Sequence, residues 1–317
     1  MNNNAYKSKY MKYKARYLEL KNMLGGAGAG FNPVHIIKGL KGQDVAHTFK
    51  GSGLKIGLLI AGNAGRPGGG LGKVDGTGLE ANFTESFRTQ EEDVVSHWLL
   101  AEQYHHERVN GQGTFDADTV FRQNLGDMAP GGRPWGMKYP STKVGAPGST
   151  HTLQRRNFTH PFYDSKKGER MDQRDNYNFA YTLTNKPISN YSGKKTTKMV
   201  DLVFVYGPNV AYRGKSPNST GTRTLVHSYQ YPRDYDVFRE SVKMTLRAGL
   251  REMARNGNQI AILAPISGGI YSGKGTSTNA RINSEYEQII NELLNEDYTP
   301  GVKLGSKFEQ VIFPIYP

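Results

Sequence analysis

The sequence predicts an α/β sandwich with mostly parallel central strands, and two observations carry that expectation. Strands alternate with helices through the C-terminal half, which is the pattern of crossover-connected parallel strands. Two apolar runs, Leu54 to Ala61 and Ile260 to Ala264, each empty into a glycine-rich loop. The first loop reads Gly62-Asn63-Ala64-Gly65-Arg66-Pro67-Gly68-Gly69-Gly70, the second Pro265-Ile266-Ser267-Gly268-Gly269-Ile270-Tyr271. A strand that stops in glycines leaves backbone N–H groups unpaired and lets a ligand approach where a Cβ would block it, as in phosphate cradles. Two such loops at strand ends predict neighbouring strands gripping one ligand at the edge of the sheet.

Taken in order, strands are expected over 34–38 and 54–61, a helix over 79–104, strands over 177–184, 200–206 and, more weakly, 224–230. A helix over 234–256, a strand over 259–264, a helix over 281–295 and a strand over 309–315 complete the series. The stretch 110–175 is rich in Gly, Pro, Arg and Asp without periodicity and reads as a functional lid or an ordered surface insertion. Tyr6, Tyr10, Tyr13 and Tyr17, extended by Leu20 and Leu24, form one face of a basic helix over 1–24. A Gly/Ala linker over 25–30 then separates it from a domain expected over 31–317.

Composition narrows the classes. With 317 residues, 36% of them hydrophobic, the chain is long enough for a sizeable core. No apolar stretch is long enough to span a bilayer, and the N-terminus is rich in Lys and Tyr where a signal peptide needs an apolar core, so an intracellular or virion-packaged protein is expected. The absence of cysteine excludes disulfides, thiolate metal sites and a thiol nucleophile. A net charge of +13 favours polyanions, with nucleic acid as a partner of the basic N-terminal helix, or belongs to a lysine-rich soluble surface. The helix itself is read as packing on the domain or on a second copy, or as a contact for nucleic acid, a membrane surface or a viral or cellular structure. His97, His105 and His106 lack metal-ligand spacing and read as a surface helix end. Gly273-Lys274-Gly275-Thr276-Ser277 lacks the full order of a P-loop.

On the 79–104 helix, Phe83, Phe87, Val94 and Trp98 make one buried face, with Val95 and Leu99 beside them. Glu91 falls on that face, so it is paired, protonated or lining a pocket, because an unpartnered buried carboxylate costs several kcal/mol. Glu92 sits at the border of the face, one turn after Arg88. Asn63 on its own is read as a turn residue that tolerates positive φ.

The order strand, Asn63, Gly68-Gly69-Gly70, Gln90-Glu91-Glu92 on a helix, and later Ser267-Gly268-Gly269-Ile270-Tyr271 resembles the macrodomain fold, a three-layer α/β/α sandwich. Within it, the Gly-Gly-Gly and Gln-Glu-Glu runs resemble the signature of the microbial-type poly(ADP-ribose) glycohydrolases. The segment Tyr206 to Arg213 and the strand Val311-Ile312-Phe313 extend the likeness. The resemblance implies an ADP-ribose-binding hydrolase, with ADP-ribose or an ADP-ribosylated protein or polymer as its partner and no cofactor or metal. It further implies that Asn63 binds the distal ribose, that Gly68, Gly69 and Gly70 lie against the distal ribose and diphosphate, and that Ser267, Gly268, Gly269 and Ile270 wrap the diphosphate while Tyr271 stacks near the ribose or adenine. Glu92 becomes the general acid/base, Glu91 the holder of ribose hydroxyls, and Gln90 part of the same ligand site. A non-catalytic ADP-ribose reader uses the same pocket. The Lys/Tyr-rich helix followed by glycines is similar to one found on unrelated proteins of large DNA viruses.

Overall fold

The computed structural model describes residues 34–62, 90–110, 120, 128–129, 133–134, 180–189, 197–208, 211–215, 223–227, 235–269, 272 and 277–315. The Tyr-striped helix, the Gly/Ala linker, the first glycine loop and nearly all of 110–175 lie outside these residues, so the expectations placed on them have no structural counterpart here.

Six strands form one sheet. They are β1 (His35–Lys38), β2 (Ile56–Gly62), β5 (Ala180–Ser189), β6 (Thr197–Tyr206), β9 (Ile260–Ile262) and β12 (Gln310–Ile315), in the spatial order β1-β12-β9-β2-β6-β5. Two-residue strands β3 (Met128–Ala129) and β4 (Arg133–Pro134) pair separately, as do β7 (Ala211–Lys215) with β8 (Arg223–His227) and β10 (Asp297–Thr299) with β11 (Val302–Lys303). Within the main sheet, β1/β12, β12/β9, β9/β2 and β2/β6 are parallel, and only the edge pair β5/β6 is antiparallel. The mixed, mostly parallel α/β sheet is therefore as the sequence pattern predicts.

Strand periodicity explains the layers. Successive side chains point to opposite faces, so a strand covered on both sides is apolar throughout. Ile56, Leu58 and Ile60 face one core with Val45 and Ala46 of α1 (Gly42–Thr48) and with Val94, Val95, Trp98 and Leu99 of α2 (Gln90–Asn110). Leu59, with Val203 and Val205 of β6, faces a second core. It is closed by α3 (Tyr235–Arg255) and α4 (Ser277–Leu294) through Phe238, Val242, Leu246, Ile282, Tyr286 and Ile290. The close seat of α3 depends on Gly249: a Cβ there would lie 2.4 Å from Leu59 Cδ1 and 3.2 Å from Val205 Cγ1. Glycine in a helix interior costs about 1 kcal/mol relative to alanine, and here it lets the helix lie directly on the sheet.

Four differences from the expected elements have local causes. Helix α1 escapes prediction because seven residues carry too little periodicity to register. Expected strand 177–184 extends to Ser189 because it pairs along β6 past an irregularity between Leu183 and Lys186, where Asn185 takes φ 53° and donates its N–H to Asp201. Expected strand 224–230 is Arg223–His227 and joins β7, a strand not anticipated, in a hairpin outside the main sheet. The helix expected to end at 104 runs to Asn110. That extension corrects the reading of its histidines: His97 is fully buried, and only His105 and His106, further along, approach the surface. Among the described residues no helix is long and apolar enough to cross a membrane.

Candidate functional site

Strands β9, β2 and β6 are consecutive and parallel, so their C-terminal ends lie side by side with β2 in the middle. Ladder pairing of β2 with β9 stops at Leu58 and Ile262, whereas pairing with β6 continues to Gly62 and Tyr206. Beyond Leu58 the β9 side of β2 thus needs other partners. Lys55, whose carbonyl accepts from Gln259 and Ile260, marks the odd-numbered residues as those whose peptide groups face β9. Leu59 and Ala61 share that side, and Gln90 meets both: its Nε2 donates to the Leu59 carbonyl at 3.0 Å, and its Oε1 accepts the Ala61 N–H at 2.9 Å. The side-chain amide stands where the next peptide of a neighbouring strand would stand. Gln90, expected at the ligand, has both ends of its amide engaged by β2.

This bond fixes the start of α2 against the sheet edge, and with it the two glutamates that follow. Glu91 is 2% exposed and is not without a partner, which agrees with its place on the apolar face. Glu92 follows in the same first turn. One residue on, Asp93 receives Gln43 Nε2 at 2.6 Å and Lys41 Nζ at 3.1 Å, tying α2 to α1 and the residue before it. His97, a turn later, is locked to the end of β5. The Ser189 hydroxyl donates to the His97 carbonyl at 3.1 Å, so Ser189 Oγ accepts from His97 Nδ1–H at 2.9 Å. Burial outweighs the field of Asp93 and lowers the His97 pKa to about 4, which keeps the ring neutral. Trp98 Nε1 donates to Glu102. Sequence reading missed Asp93, Lys41 and Gln43, since nothing in their spacing announces a contact across about 50 residues of chain.

The loop after β9 is built differently. Its carbonyl groups are gathered by α4: Tyr286 Oη donates to Ile266 O at 2.5 Å, Asn279 Nδ2 to Gly268 O at 2.7 Å and Gly269 O at 3.3 Å, and Asn283 Nδ2 to Gly268 O at 3.0 Å. Asn279 also reaches Ser272 Oγ at 2.7 Å. Tyr286 is fully enclosed, its ring 5.0 Å from that of Phe313, and burial raises its pKa, so the phenol remains a donor.

A trans peptide points its C=O and N–H in opposite directions. Where α4 holds the carbonyls of Ile266 and Gly268, the N–H groups of Ser267 and Gly269 must therefore face away from α4. Among the described residues neither finds an acceptor. The Gly268 N–H closes a turn onto Pro265 O at 3.0 Å, with Ser267 in the left-handed region at φ 56°, uncommon for a residue with a Cβ. Gly268 admits no side chain, since a Cβ would meet Tyr286 Oη at 2.7 Å and Pro265 Cβ at 2.9 Å, whereas the Cβ direction of Gly269 opens on empty space. Ser267 Oγ donates to Pro208 O at 2.5 Å, so the β9 loop reaches across the end of β2 to the segment after β6.

The structure thus brings Gln90, Glu91, Ser267, Gly268 and Gly269 to one edge of the sheet. Asn63, Gly68, Gly69, Gly70, Ile270 and Tyr271 lie outside the described residues, as does the side chain of Glu92. Among the described residues no three His, Asp or Glu side chains are grouped to hold a metal ion. Asn279, Asn283 and Tyr286, which shape the loop, carried no signal in the sequence beyond two Asn four residues apart on one helix face.

No protein-family model matches the chain, and no curated protein does. Solved structures similar to it include a poly(ADP-ribose) glycohydrolase from Thermomonospora curvata bound to the inhibitor ADP-HPD, at 14% identity and TM-score 0.42 over 94% of this chain and 77% of that one. A poly(ADP-ribose) glycohydrolase from Deinococcus radiodurans in complex with ADP-ribose matches at 14% identity and TM-score 0.42 over 96% of this chain and 85% of that one. Similarity of this extent carries no functional inference.

Proposed function

We propose that the chain binds ADP-ribose across the C-terminal ends of β9, β2 and β6 and hydrolyses an ADP-ribosyl or poly(ADP-ribose) glycosidic bond. The observation that carries this reading is the loop after β9, whose carbonyls are held by Asn279, Asn283 and Tyr286 so that the Ser267 and Gly269 N–H groups face away from α4 and, among the described residues, remain available as donors. Donors of this kind suit a diphosphate. The Gly-Gly-Gly and Gln-Glu-Glu runs supply the rest of the reading. Gly68, Gly69 and Gly70 would face the ribose and diphosphate, Ile270 and Tyr271 would complete the second loop, and Asn63 would meet the distal ribose.

In this reading Glu92 gives its proton to the departing glycosidic oxygen as the bond to the anomeric carbon breaks. It then takes a proton from the water that adds to that carbon. Glu91 accepts from the ribose hydroxyls and sets the sugar against Glu92. The fixed start of α2 serves this chemistry, because a misplaced acid loses rate steeply with distance.

Replacing both glutamates, E91Q/E92Q, is expected to abolish release of ADP-ribose from poly(ADP-ribose) while calorimetric ADP-ribose binding stays within a few-fold. Undiminished release by the double variant overturns the assignment.

A second reading, a non-catalytic ADP-ribose module, is favoured by one observation: Gln90 is committed to the backbone of β2 and Glu91 is buried and partnered, as structural residues are. Binding by the intact chain with no release from any ADP-ribosyl linkage selects it. The basic helix at 1–24 would add attachment to a polyanion, nucleic acid or a particle surface. Removal of residues 1–30 is then expected to abolish that attachment and spare ADP-ribose binding.

A further inference from the structure

Along the C-terminal half of α3 runs a cleft of about 800 Å³, lined by Arg247, Arg251 and Arg255 together with Ala180 of β5 and Tyr298 and Thr299 of β10. Arginines four residues apart share one helix face and stand about 6 Å from one another along its axis. Their charges are not equally cancelled. Arg247 is bound through two nitrogens to Glu296 at 2.6 and 2.7 Å. Glu252 pairs with Arg255, and its other oxygen receives Thr182 Oγ1 at 2.9 Å and Asn256 Nδ2 at 3.3 Å.

Arg251 differs from both. Its two terminal nitrogens go to backbone carbonyls, Asp297 O at 2.5 Å and Tyr298 O at 3.2 Å. Carbonyls hold a guanidinium in place without neutralising it. The two carboxylates that line the cleft, Glu252 and Glu296, each already have an arginine, so the lining keeps an excess positive charge centred on Arg251. Lys307 Nζ, 5.0 Å from the Tyr298 ring centroid, adds a further cation beside it. The side chain of Arg255 is 70% exposed and can turn toward a ligand.

From this arrangement we infer that the cleft is a second anion site, built for the diphosphate or phosphate-ester end of a molecule of nucleotide size. The volume lies within the roughly 300–1,000 Å³ usual for small-molecule sites. A preset guanidinium is the donor best matched to phosphate oxygens. Successive arginines one helical turn apart span more than a single carboxylate and suit linked phosphates. Ala180 and Ala248 leave the space between the walls unfilled. None of these residues belongs to α2 or to the Ser267–Gly269 loop, so the inference stands apart from the proposed reaction.

The test is calorimetric titration of the full chain with inorganic pyrophosphate at low ionic strength. R251Q and R255E are each expected to weaken binding about tenfold or more, the size of one lost charged hydrogen bond. R281Q, which removes an exposed cation on α4, is expected to leave it unchanged. R251Q also loosens the β10–β11 hairpin. If that variant unfolds, R255E, which leaves the hairpin bonds intact, carries the test alone. Pyrophosphate that binds only at the Ser267–Gly269 loop will be insensitive to both substitutions, and that result, like an absence of binding or an equal loss in R281Q, overturns the inference.

Discussion

Asn279→Asp tests whether α4 shapes the β9 loop. The substitution keeps size and shape but replaces the Nδ2 donor by a carboxylate oxygen. In the native protein that amide gives its hydrogens to Gly268 O and Ser272 Oγ, both at 2.7 Å, with Gly269 O at 3.3 Å as a weaker third contact. Two neutral hydrogen bonds at about 1 kcal/mol each put the loss near 2 kcal/mol before repulsion between the new carboxylate and the carbonyls is counted. Loss on that scale appears first as local opening, because the loop is held at its ends by β9 and by α4, whose packing on the core does not change. Hydrogen exchange read by mass spectrometry over 265–272 should accelerate about thirtyfold, since each 1.4 kcal/mol is a factor of ten. The amides of Gly268 and Ser272, bonded to Pro265 O and Gly269 O, are the sensitive ones. ADP-ribose affinity should fall by a similar factor, because the ligand must then order the loop itself. Exchange within threefold of the wild type refutes the clamp, whatever the ligand result. Accelerated exchange with unaltered affinity refutes the claim that the clamped N–H groups are the diphosphate donors.

Two further outcomes follow from the same geometry. Gln90→Glu retains the acceptor for the Ala61 N–H but sets an oxygen against the Leu59 carbonyl, a cost of about 1–3 kcal/mol at the start of α2. Steady-state kinetics on poly(ADP-ribose) should show a fall in kcat larger than any change in KM, and an equal effect on both would place Gln90 at the ligand. His97, with a folded pKa of about 4 against 6.5 in the unfolded chain, binds fewer protons folded than unfolded between those values. Stability from this residue is complete above the unfolded value and declines as pH falls toward 4, by about 3 kcal/mol in total. Chemical denaturation at pH 7.5 and 4.5 should show His97→Gln losing about 2–3 kcal/mol less than the wild type over that interval, and identical losses would mean that His97 is not held neutral.

Much of this molecule is legible in its sequence, and the legible part is what short-range physics encodes. Apolar runs such as Ile56 to Ile60 and Val200 to Val205 announce strands buried on both faces, because a sheet between two helical layers has no polar side. Helices α3 and α4 are readable from their periodic stripes, and Glu91 is readable as a buried carboxylate because Val94 and Trp98 share its face. The glycines after β9 lead to the expectation of a backbone site for the same local reason: a segment without side chains can offer only its peptides. What no local pattern contains is which peptide groups are offered and which are consumed. Asn279 and Tyr286 are a helix surface and a core aromatic in the sequence and become partners of the β9 loop's carbonyls only where α4 packs against that loop, just as Gln90, expected at the ligand, becomes a backbone partner only where α2 meets β2. Asp93 finds Gln43, and Arg251 is hydrogen-bonded to the carbonyls of Asp297 and Tyr298, by the same route. Pairing across tens to hundreds of residues depends on where the sheet order sets each helix, and the order β1-β12-β9-β2-β6-β5 is a property of the packed chain as a whole.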